Sequence, residues 1–134
     1  NKVKPAVKLF DFIHSVDSEK LAKKIADEQK KINKKIKIFL QVNIGDENQK
    51  SGINKNEVAQ LVSFSKEIGL EVIGLMCIPP INSNPEGYFE EMNKLNKDTG
   101  LTELSMGMSS DYILAAKHLS THIRVGSSIF GQRL

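Results

Sequence analysis

Two segments in the last third of the chain have the residue types needed to bind an anion. Residues 104–111 read LSMGMSSD, and residues 122–131 read HIRVGSSIFG. In each, a short apolar stretch typical of a strand runs into glycine and serine, whose backbone N–H groups and hydroxyls can hold a phosphate. Together they predict a phosphate site, although Ser109 and Ser110 could also serve only as caps of the helix that follows.

Arg124 lies between these two groups of small polar residues. It is one of only two arginines among the 19 basic residues of the chain. Its guanidinium is planar, always charged and rich in donors, so lysine is not equivalent to it at such a position. The residue type favours a binding role beside the anion site, and an ordinary ion pair at a strand end is the alternative.

Further candidates lie where other predicted strands end. His14, Asn43 and Met76 each lie within or directly after an apolar stretch. Structural roles compete with binding here, because a histidine can simply pack and an asparagine can close a turn through its side chain. The three histidines and one cysteine have no metal-ligand spacing, so we expect no metal site.

The hydrophobic pattern that positions these candidates alternates between strands and helices. Alternating apolar residues predict strands, and apolar residues three or four apart predict helices. Phe39 is out of phase with its strand and predicts burial on both faces, as in a parallel sheet. Asn54 with Glu57 resembles a capping box, and Pro85 resembles a first helical residue. The predicted strands are 12–16, 36–44, 70–76, 103–106 and 122–125, and helices are predicted to begin near 17, 54, 85 and 111.

This order of elements is that of an α/β protein, with parallel strands alternating with helices. It fits either an open doubly wound sheet or part of a (β/α)8 barrel. The candidate residues favour the barrel, because they gather at the C-terminal ends of strands. Barrel proteins bind their ligands there and often hold phosphate after the last two strands.

Composition excludes several other classes of protein. The 134 residues are enough for one domain, and the net charge of +3 comes mostly from lysines at 20–37, interspersed with apolar residues as on a solvated helix face. Aromatic residues make up 6% and tryptophan is absent, so we expect no nucleic-acid partner. The apolar run 72–81 is too short to span a bilayer, so we expect no membrane partner. A single cysteine, Cys77, fits a reducing compartment, and we expect a cytoplasmic protein.

Six segments along the chain form a recognisable series. They are IHSVDS (13–18), LQVNI (40–44), KSGI (50–53), GLMCI (74–78), LSMGMSSD (104–111) and RVGSSIFG (124–131). In this order they resemble motifs of the pyridoxal phosphate homeostasis protein family, which is similar to the barrel domain of alanine racemase. The resemblance covers essentially the whole chain, and it implies a barrel that binds pyridoxal 5′-phosphate (PLP) at its C-terminal rim.

The resemblance also implies roles for individual residues. Arg124 would face the pyridine nitrogen, and Ser109 with the backbone amides of Gly126 and Ser127 would hold the phosphate. His14, Asn43 and Met76 would line the pocket, and Lys50 matches a cation that lines it in related racemases. Because a guanidinium keeps its proton, the ring nitrogen beside it would stay unprotonated, which makes PLP a poor electron sink. That property suits a carrier or a racemase better than an aminotransferase.

One departure from the family concerns the lysine that holds the cofactor covalently. That lysine lies on the family's first strand, and no lysine here has an equivalent context. We therefore expect residues 1–134 to form a single partial barrel domain, the C-terminal portion of a (β/α)8 TIM barrel, without the N-terminal units that bear this lysine.

The resemblance implies a non-catalytic carrier or regulator of PLP supply, which affects the balance of amino and keto acids and has PLP-dependent apoenzymes as candidate partners. No catalytic residue is expected. Two alternatives stay open: a PLP-dependent amino-acid racemase, and a barrel that binds another phosphorylated metabolite.

Overall fold

A computed structural model describes residues 2–48, 51–80 and 84–106 of the chain. Within them, strands and helices alternate as the hydrophobic pattern predicts. The fifth predicted strand (122–125) and the helix predicted from 111 lie outside the described residues. The elements in chain order are helix α1 (Val3–Leu9), strand β1 (Phe12–Val16), helix α2 (Glu19–Lys31), strand β2 (Lys37–Gln41), a 3-10 turn (Lys55–Glu57), helix α3 (Val58–Glu67), strand β3 (Glu71–Met76), helix α4 (Glu86–Asp98) and strand β4 (Glu103–Ser105).

The four strands form one parallel sheet in the order β1-β2-β3-β4. Among the described strands, each therefore pairs only with its neighbours in the chain, and a helix connects each pair, as parallel pairing requires. This arrangement confirms the predicted α/β class for the described residues. None of the helices described is long and apolar enough to cross a membrane.

The hydrophobic core lies between the sheet and its helices. Ile38 and Leu40 of β2 are completely buried on this side, together with Leu61 of α3 and Phe89 of α4. Phe39 points to the other face of the sheet and is also completely buried. The predicted burial of β2 on both faces is confirmed.

The helix N-termini agree only in part with the sequence pattern. Ser18 caps α2, since its hydroxyl accepts a hydrogen bond of 3.1 Å from the backbone N–H of Leu21. The capping box of Asn54 and Glu57 is not formed, because a 3-10 turn intervenes and Glu57 itself becomes the residue that precedes α3. Pro85 lies one position earlier than predicted, at the N-cap of α4.

The hydrophobic pattern also failed to predict α1, and it predicted a longer β2 than the structure shows. Helix α1 has only seven residues, too few for a clear hydrophobic period. Strand β2 ends at Gln41, because beyond it Val42 pairs with Ile53 through a single isolated bridge. The buried residues that follow, including Ile44, belong to the loop after β2.

Candidate functional site

His14 of β1 and Ser105 of β4 lie close together although two strands separate them. Nδ1 of His14 is 2.7 Å from Oγ of Ser105. In a flat sheet of this order the two strands would be three spacings apart, about 14 Å at about 4.8 Å per spacing. The sheet must therefore curve strongly, with His14 and Ser105 on its concave face.

Aromatic packing holds His14 on this face. Its imidazole stacks on the ring of Phe39, with the ring centroids 4.3 Å apart and the planes inclined by 23°. Phe12, two residues before His14, makes a looser tilted contact, with centroids 6.3 Å apart. The imidazole is thus restrained on one side by a buried ring and at one nitrogen by a buried hydroxyl.

An irregularity in β1 brings two neighbouring residues to the same cavity. The pairing of β1 with β2 shifts register between Ile13 and Val16, so His14 and Ser15 lie within the irregular step. Adjacent residues of a regular strand point to opposite faces, and bulges of this kind redirect a side chain beside a site. Both residues consequently line the concave side.

The cavity itself is an open cleft of about 490 Å³ near the C-terminal ends of the first three strands. This size is within the range of ligand pockets, roughly 300 to 1,000 Å³. Its lining combines one aromatic heterocycle, polar side chains and apolar side chains. The lining residues are His14, Ser15, Gln41, Met76 and Ile78.

The strand register explains why these residues meet. Met76 is level with Gln41 of β2 on one side and with Ser105 of β4 on the other. Gln41, Met76 and Ser105 thus form a row across three strands, and His14 contacts the end of that row. The structure brings together His14 and Met76, which were predicted from sequence, and adds Gln41, Ser15, Ile78 and Ser105.

Asn43 lies beside this cleft rather than in it. It lines a smaller depression of about 230 Å³ that shares Gln41 and Ile78 with the cleft. Its side-chain Nδ2 donates to the carbonyl of Glu47 at 2.7 Å, and its Oδ1 accepts from the backbone N–H of Glu47 at 3.1 Å. Both polar atoms of the side chain thus close the loop after β2, which is the structural role that competed with binding.

The remaining predicted site residues lie outside the described part of the chain. They are Ser109, Arg124, Gly126 and Ser127, together with Lys50. The described residues consequently include the wall of the cleft formed by β1, β2 and β3, whereas the predicted phosphate and pyridine contacts stay predictions. Within residues 2–48, 51–80 and 84–106, no group of three or more histidine, cysteine, aspartate or glutamate side chains could hold a metal ion.

Two ionisable side chains away from the cleft have clearly shifted pKa values. The hydrogen bond that Lys31 donates to Glu28 lowers the pKa of that carboxyl, and Lys24 adds a second contact at 3.3 Å. The pKa of Lys55 is raised, first of all by its hydrogen bond to Glu91 at 2.8 Å. The ion pairs of Glu28 lie within α2, that of Lys55 joins the 3-10 turn to α4, and none of these residues lines the cleft.

Gly74 allows β4 to pair closely with β3, beside this wall. It pairs with Glu103, and a β-carbon at position 74 would overlap with the backbone carbonyl of Glu103. Only glycine permits this approach of the two strands. No pattern in the sequence indicates the contact, because the two residues meet only when the strands pair.

Comparison with known proteins gives the family to which this geometry belongs. The family model described as "Alanine racemase, N-terminal domain" matches residues 1–134. The chain is 34% identical over 143 residues to the pyridoxal phosphate homeostasis protein of Aquifex aeolicus, covering 99% of this chain and 63% of that protein. For the protein of the same name from Vibrio alginolyticus the identity is 34% over 142 residues, covering 99% and 61%. The chain thus spans somewhat less than two thirds of the length of these relatives.

Solved structures of one related protein agree with the fold. The chain matches PipY of Synechococcus elongatus PCC7942 without PLP at a TM-score of 0.88 and 33% identity, covering 98% of this chain and 66% of PipY. PipY with PLP bound matches at a TM-score of 0.86 and 32% identity. The four parallel strands are part of the barrel fold of the alanine racemase N-terminal domain, and the chain belongs to the pyridoxal phosphate homeostasis protein family.

Proposed function

We propose that this chain binds PLP reversibly and takes part in the storage and delivery of the cofactor, without catalytic turnover of its own. The observation that carries the proposal is the curved sheet with an open cleft at the C-terminal strand ends, lined by His14. Ligands bind at this end of barrel folds. The likeness to PipY, which has been solved with PLP bound, supports PLP as the ligand.

The described wall of the cleft fits the ring of PLP. The imidazole of His14, which stacks on the buried ring of Phe39, offers an aromatic and apolar surface together with Met76 and Ile78. Gln41 and Ser15 add neutral hydrogen-bonding groups to the same wall. A flat heterocycle with polar substituents needs this combination of contacts, because apolar faces hold the ring and a few polar groups orient it.

No lysine or arginine is among the described residues that line the cleft. A dianionic phosphate therefore needs its partners from elsewhere in the chain. Ser109, the backbone amides of Gly126 and Ser127, and Arg124 are the residues proposed for the phosphate and the ring nitrogen, as the family motifs imply. We place these contacts in the C-terminal portion of a (β/α)8 barrel.

When bound, PLP supplies an aldehyde that can react reversibly with amines. The residues proposed here bind and orient the cofactor, and none of them is assigned a proton-transfer step. A two-base racemase needs an additional acid or base at its ligand. Tyr88 does not serve this purpose, since it lies on α4 and packs against the core.

The experiment is a titration of the 134-residue chain with PLP, followed by its absorbance and by equilibrium dialysis. Saturable binding of one PLP per chain is expected, with borohydride reduction giving no stoichiometric adduct at a single lysine. A unique lysine adduct mapped by mass spectrometry would show that this chain binds PLP as an imine, which would contradict the noncovalent binding expected here. Absence of saturable binding would contradict the proposed function itself.

Two further measurements separate the competing functions. Racemisation of alanine at enzyme-like rates by the PLP-loaded protein would favour the racemase. Binding of inorganic phosphate or sugar phosphates as tight as that of PLP would favour a barrel for another phosphorylated metabolite. We expect neither, because none of the proposed residues is assigned a proton-transfer step, and because the imidazole of His14 offers the cleft an aromatic surface that suits a heterocycle.

A further inference from the structure

Ser105 is completely buried, and its hydroxyl has a single partner within the described part of the chain, Nδ1 of His14 at 2.7 Å. A hydroxyl carries one proton, and burying that donor without an acceptor is costly. The arrangement that satisfies it is donation from Oγ of Ser105 to an unprotonated Nδ1. The proton of the neutral imidazole then lies on Nε2.

Phe39 restrains the same imidazole from its face. The two rings are nearly parallel, with centroids 4.3 Å apart, and Phe39 has no exposed surface. The hydroxyl acts in the plane of the imidazole and the phenyl ring acts perpendicular to it. Together they fix the orientation of His14 before any ligand binds, which lowers the entropy cost of binding.

We propose that Ser105 is a positioning residue, which holds His14 as the Nε2–H tautomer so that the imidazole donates a hydrogen bond to a ligand oxygen in the cleft. The chemical class of that acceptor is a phenolic, carbonyl or phosphoryl oxygen. The identification of the ligand as PLP depends on the function proposed above, whereas the tautomer and its cause do not.

A purely structural explanation also exists. The bond between His14 and Ser105 joins β1 to β4, and it could serve only to maintain the curvature of the sheet. In that case, removal of the hydroxyl would lower the free energy of unfolding. Ligand binding would then weaken only because less of the protein is folded. The test must therefore read out the state of the imidazole and its contribution to binding separately.

The first readout is ¹H–¹⁵N NMR of the histidine side chains in the protein without PLP. The chain has three histidines, and His14→Gln identifies the signals of His14. We expect His14 as the Nε2–H tautomer, and Ser105→Ala should shift its Nδ1 signal and allow the Nδ1–H form to appear. A wild-type His14 protonated on Nδ1, or a spectrum unchanged by Ser105→Ala, would overturn the proposal.

Ser65→Ala is the matched control. Ser65 is also completely buried, and its hydroxyl has no hydrogen-bond partner among the described residues. It lies on α3, on the helix side of the sheet. The control removes a buried serine hydroxyl without touching the cleft, so both the His14 signals and the affinity for PLP should stay as in the wild type.

The second readout is the affinity for PLP in a double-mutant cycle. Ser105→Ala should weaken binding by about threefold to tenfold, as expected for one hydrogen bond. His14→Phe keeps a ring against Phe39 but has no donor, and Ser105→Ala should have no further effect in that background. An equal loss in both backgrounds would show that Ser105 does not act through His14. If even the wild type does not bind PLP, the proposed function fails, and the NMR result alone decides the role of Ser105.

Discussion

The backbone of Gly74 in β3 lies so close to the carbonyl of Glu103 in β4 that position 74 has no room for a β-carbon. The two residues are direct partners in the parallel pairing of these strands. Two residues further along, Met76 pairs with Ser105, the residue that contacts His14. The close approach at Gly74 therefore helps to place Ser105 within reach of β1.

Gly74→Ala is expected to lower the free energy of unfolding by about 1 to 3 kcal/mol, because the added methyl group pushes β4 away from β3. Urea denaturation measures the effect. Gly87→Ala is the control, since Gly87 lies in α4 with no atoms near the position of an added β-carbon. The control should leave stability unchanged or raise it by up to about 1 kcal/mol. Equal stability of the two variants would contradict the role assigned to Gly74.

Glu28 is expected to make stability depend on pH in the acid range. Its pKa lies below the ordinary value of 4.5, so the stability that it contributes is present above that pH and is lost as the pH falls through its lower folded-state value. Glu28→Gln should therefore flatten the decline of the unfolding free energy between neutral and acid pH. Denaturant titrations at a series of pH values measure this.

Asp27→Asn is the matched control for Glu28. Asp27 pairs with Lys23, and these side chains are 51% and 60% exposed, so their ion pair contributes little. The free energy of unfolding of the Asp27→Asn variant should depend on pH as that of the wild type does. Identical profiles for the Glu28 and Asp27 variants would show that the ion pairs of Glu28 with Lys24 and Lys31 do not stabilise the fold.

Lys34→Met is expected to loosen α1. The ammonium of Lys34 donates to the carbonyls of Val7, Lys8 and Phe10 at 3.0, 3.3 and 2.9 Å, where the short helix ends. Carbonyls at a helix C-terminus lack partners within the helix, and a cation there satisfies them. Methionine keeps most of the apolar stem but removes the donors, which should cost about 1 to 2 kcal/mol.

Hydrogen exchange of the α1 amides measures this loosening. Exchange should accelerate in Lys34→Met and stay unchanged in Lys23→Met, which removes an exposed lysine from α2. Unchanged protection of α1 in the Lys34 variant would mean that packing of Val7 in the core alone holds the helix.

Arg124→Lys is expected to weaken the binding of PLP by about tenfold or more and to change the absorbance spectrum of the bound cofactor. A lysine cannot reproduce the planar donor arrangement proposed to face the ring nitrogen, and a hydrogen bond to a charged group contributes about 1.5 to 3 kcal/mol. Arg133→Lys, at the other arginine, is the control and should behave as the wild type. An unchanged spectrum and affinity in the Arg124 variant would remove Arg124 from the proposed pocket.

The succession of strands and helices could be predicted because it depends on local hydrophobic periodicity. The buried alternation around Ile38 and Leu40 and the serine cap of α2 are properties of neighbouring residues, so they are visible in the sequence. The 3-10 turn before α3 was not predictable in the same way, since Asn54 and Glu57 have the composition of a capping box. Backbone geometry, rather than residue type, decides whether α3 begins with a capping box or follows a 3-10 turn.

The residues of the candidate cleft were predictable only where they follow from strand ends. His14 and Met76, which line the cleft, were predicted because candidate residues gather at the C-terminal ends of parallel strands. Ser105 was not, because its significance depends on a contact with a residue 91 positions away and on the curvature of the sheet. Asn43 was found as a polar residue after a strand, but its two bonds to Glu47 show that turn chemistry explains it equally well.

The order of the sheet has a consequence for how the protein is made. Strand order equals chain order, so each new strand of the described sheet can dock on the one synthesised just before it. We expect the sheet to grow by one strand and one helix at a time as the ribosome advances. The contact between His14 and Ser105 is different, because it can form only when all four strands are present. In a nascent chain halted before Ser105, the imidazole of His14 would lack the hydrogen bond that restrains it.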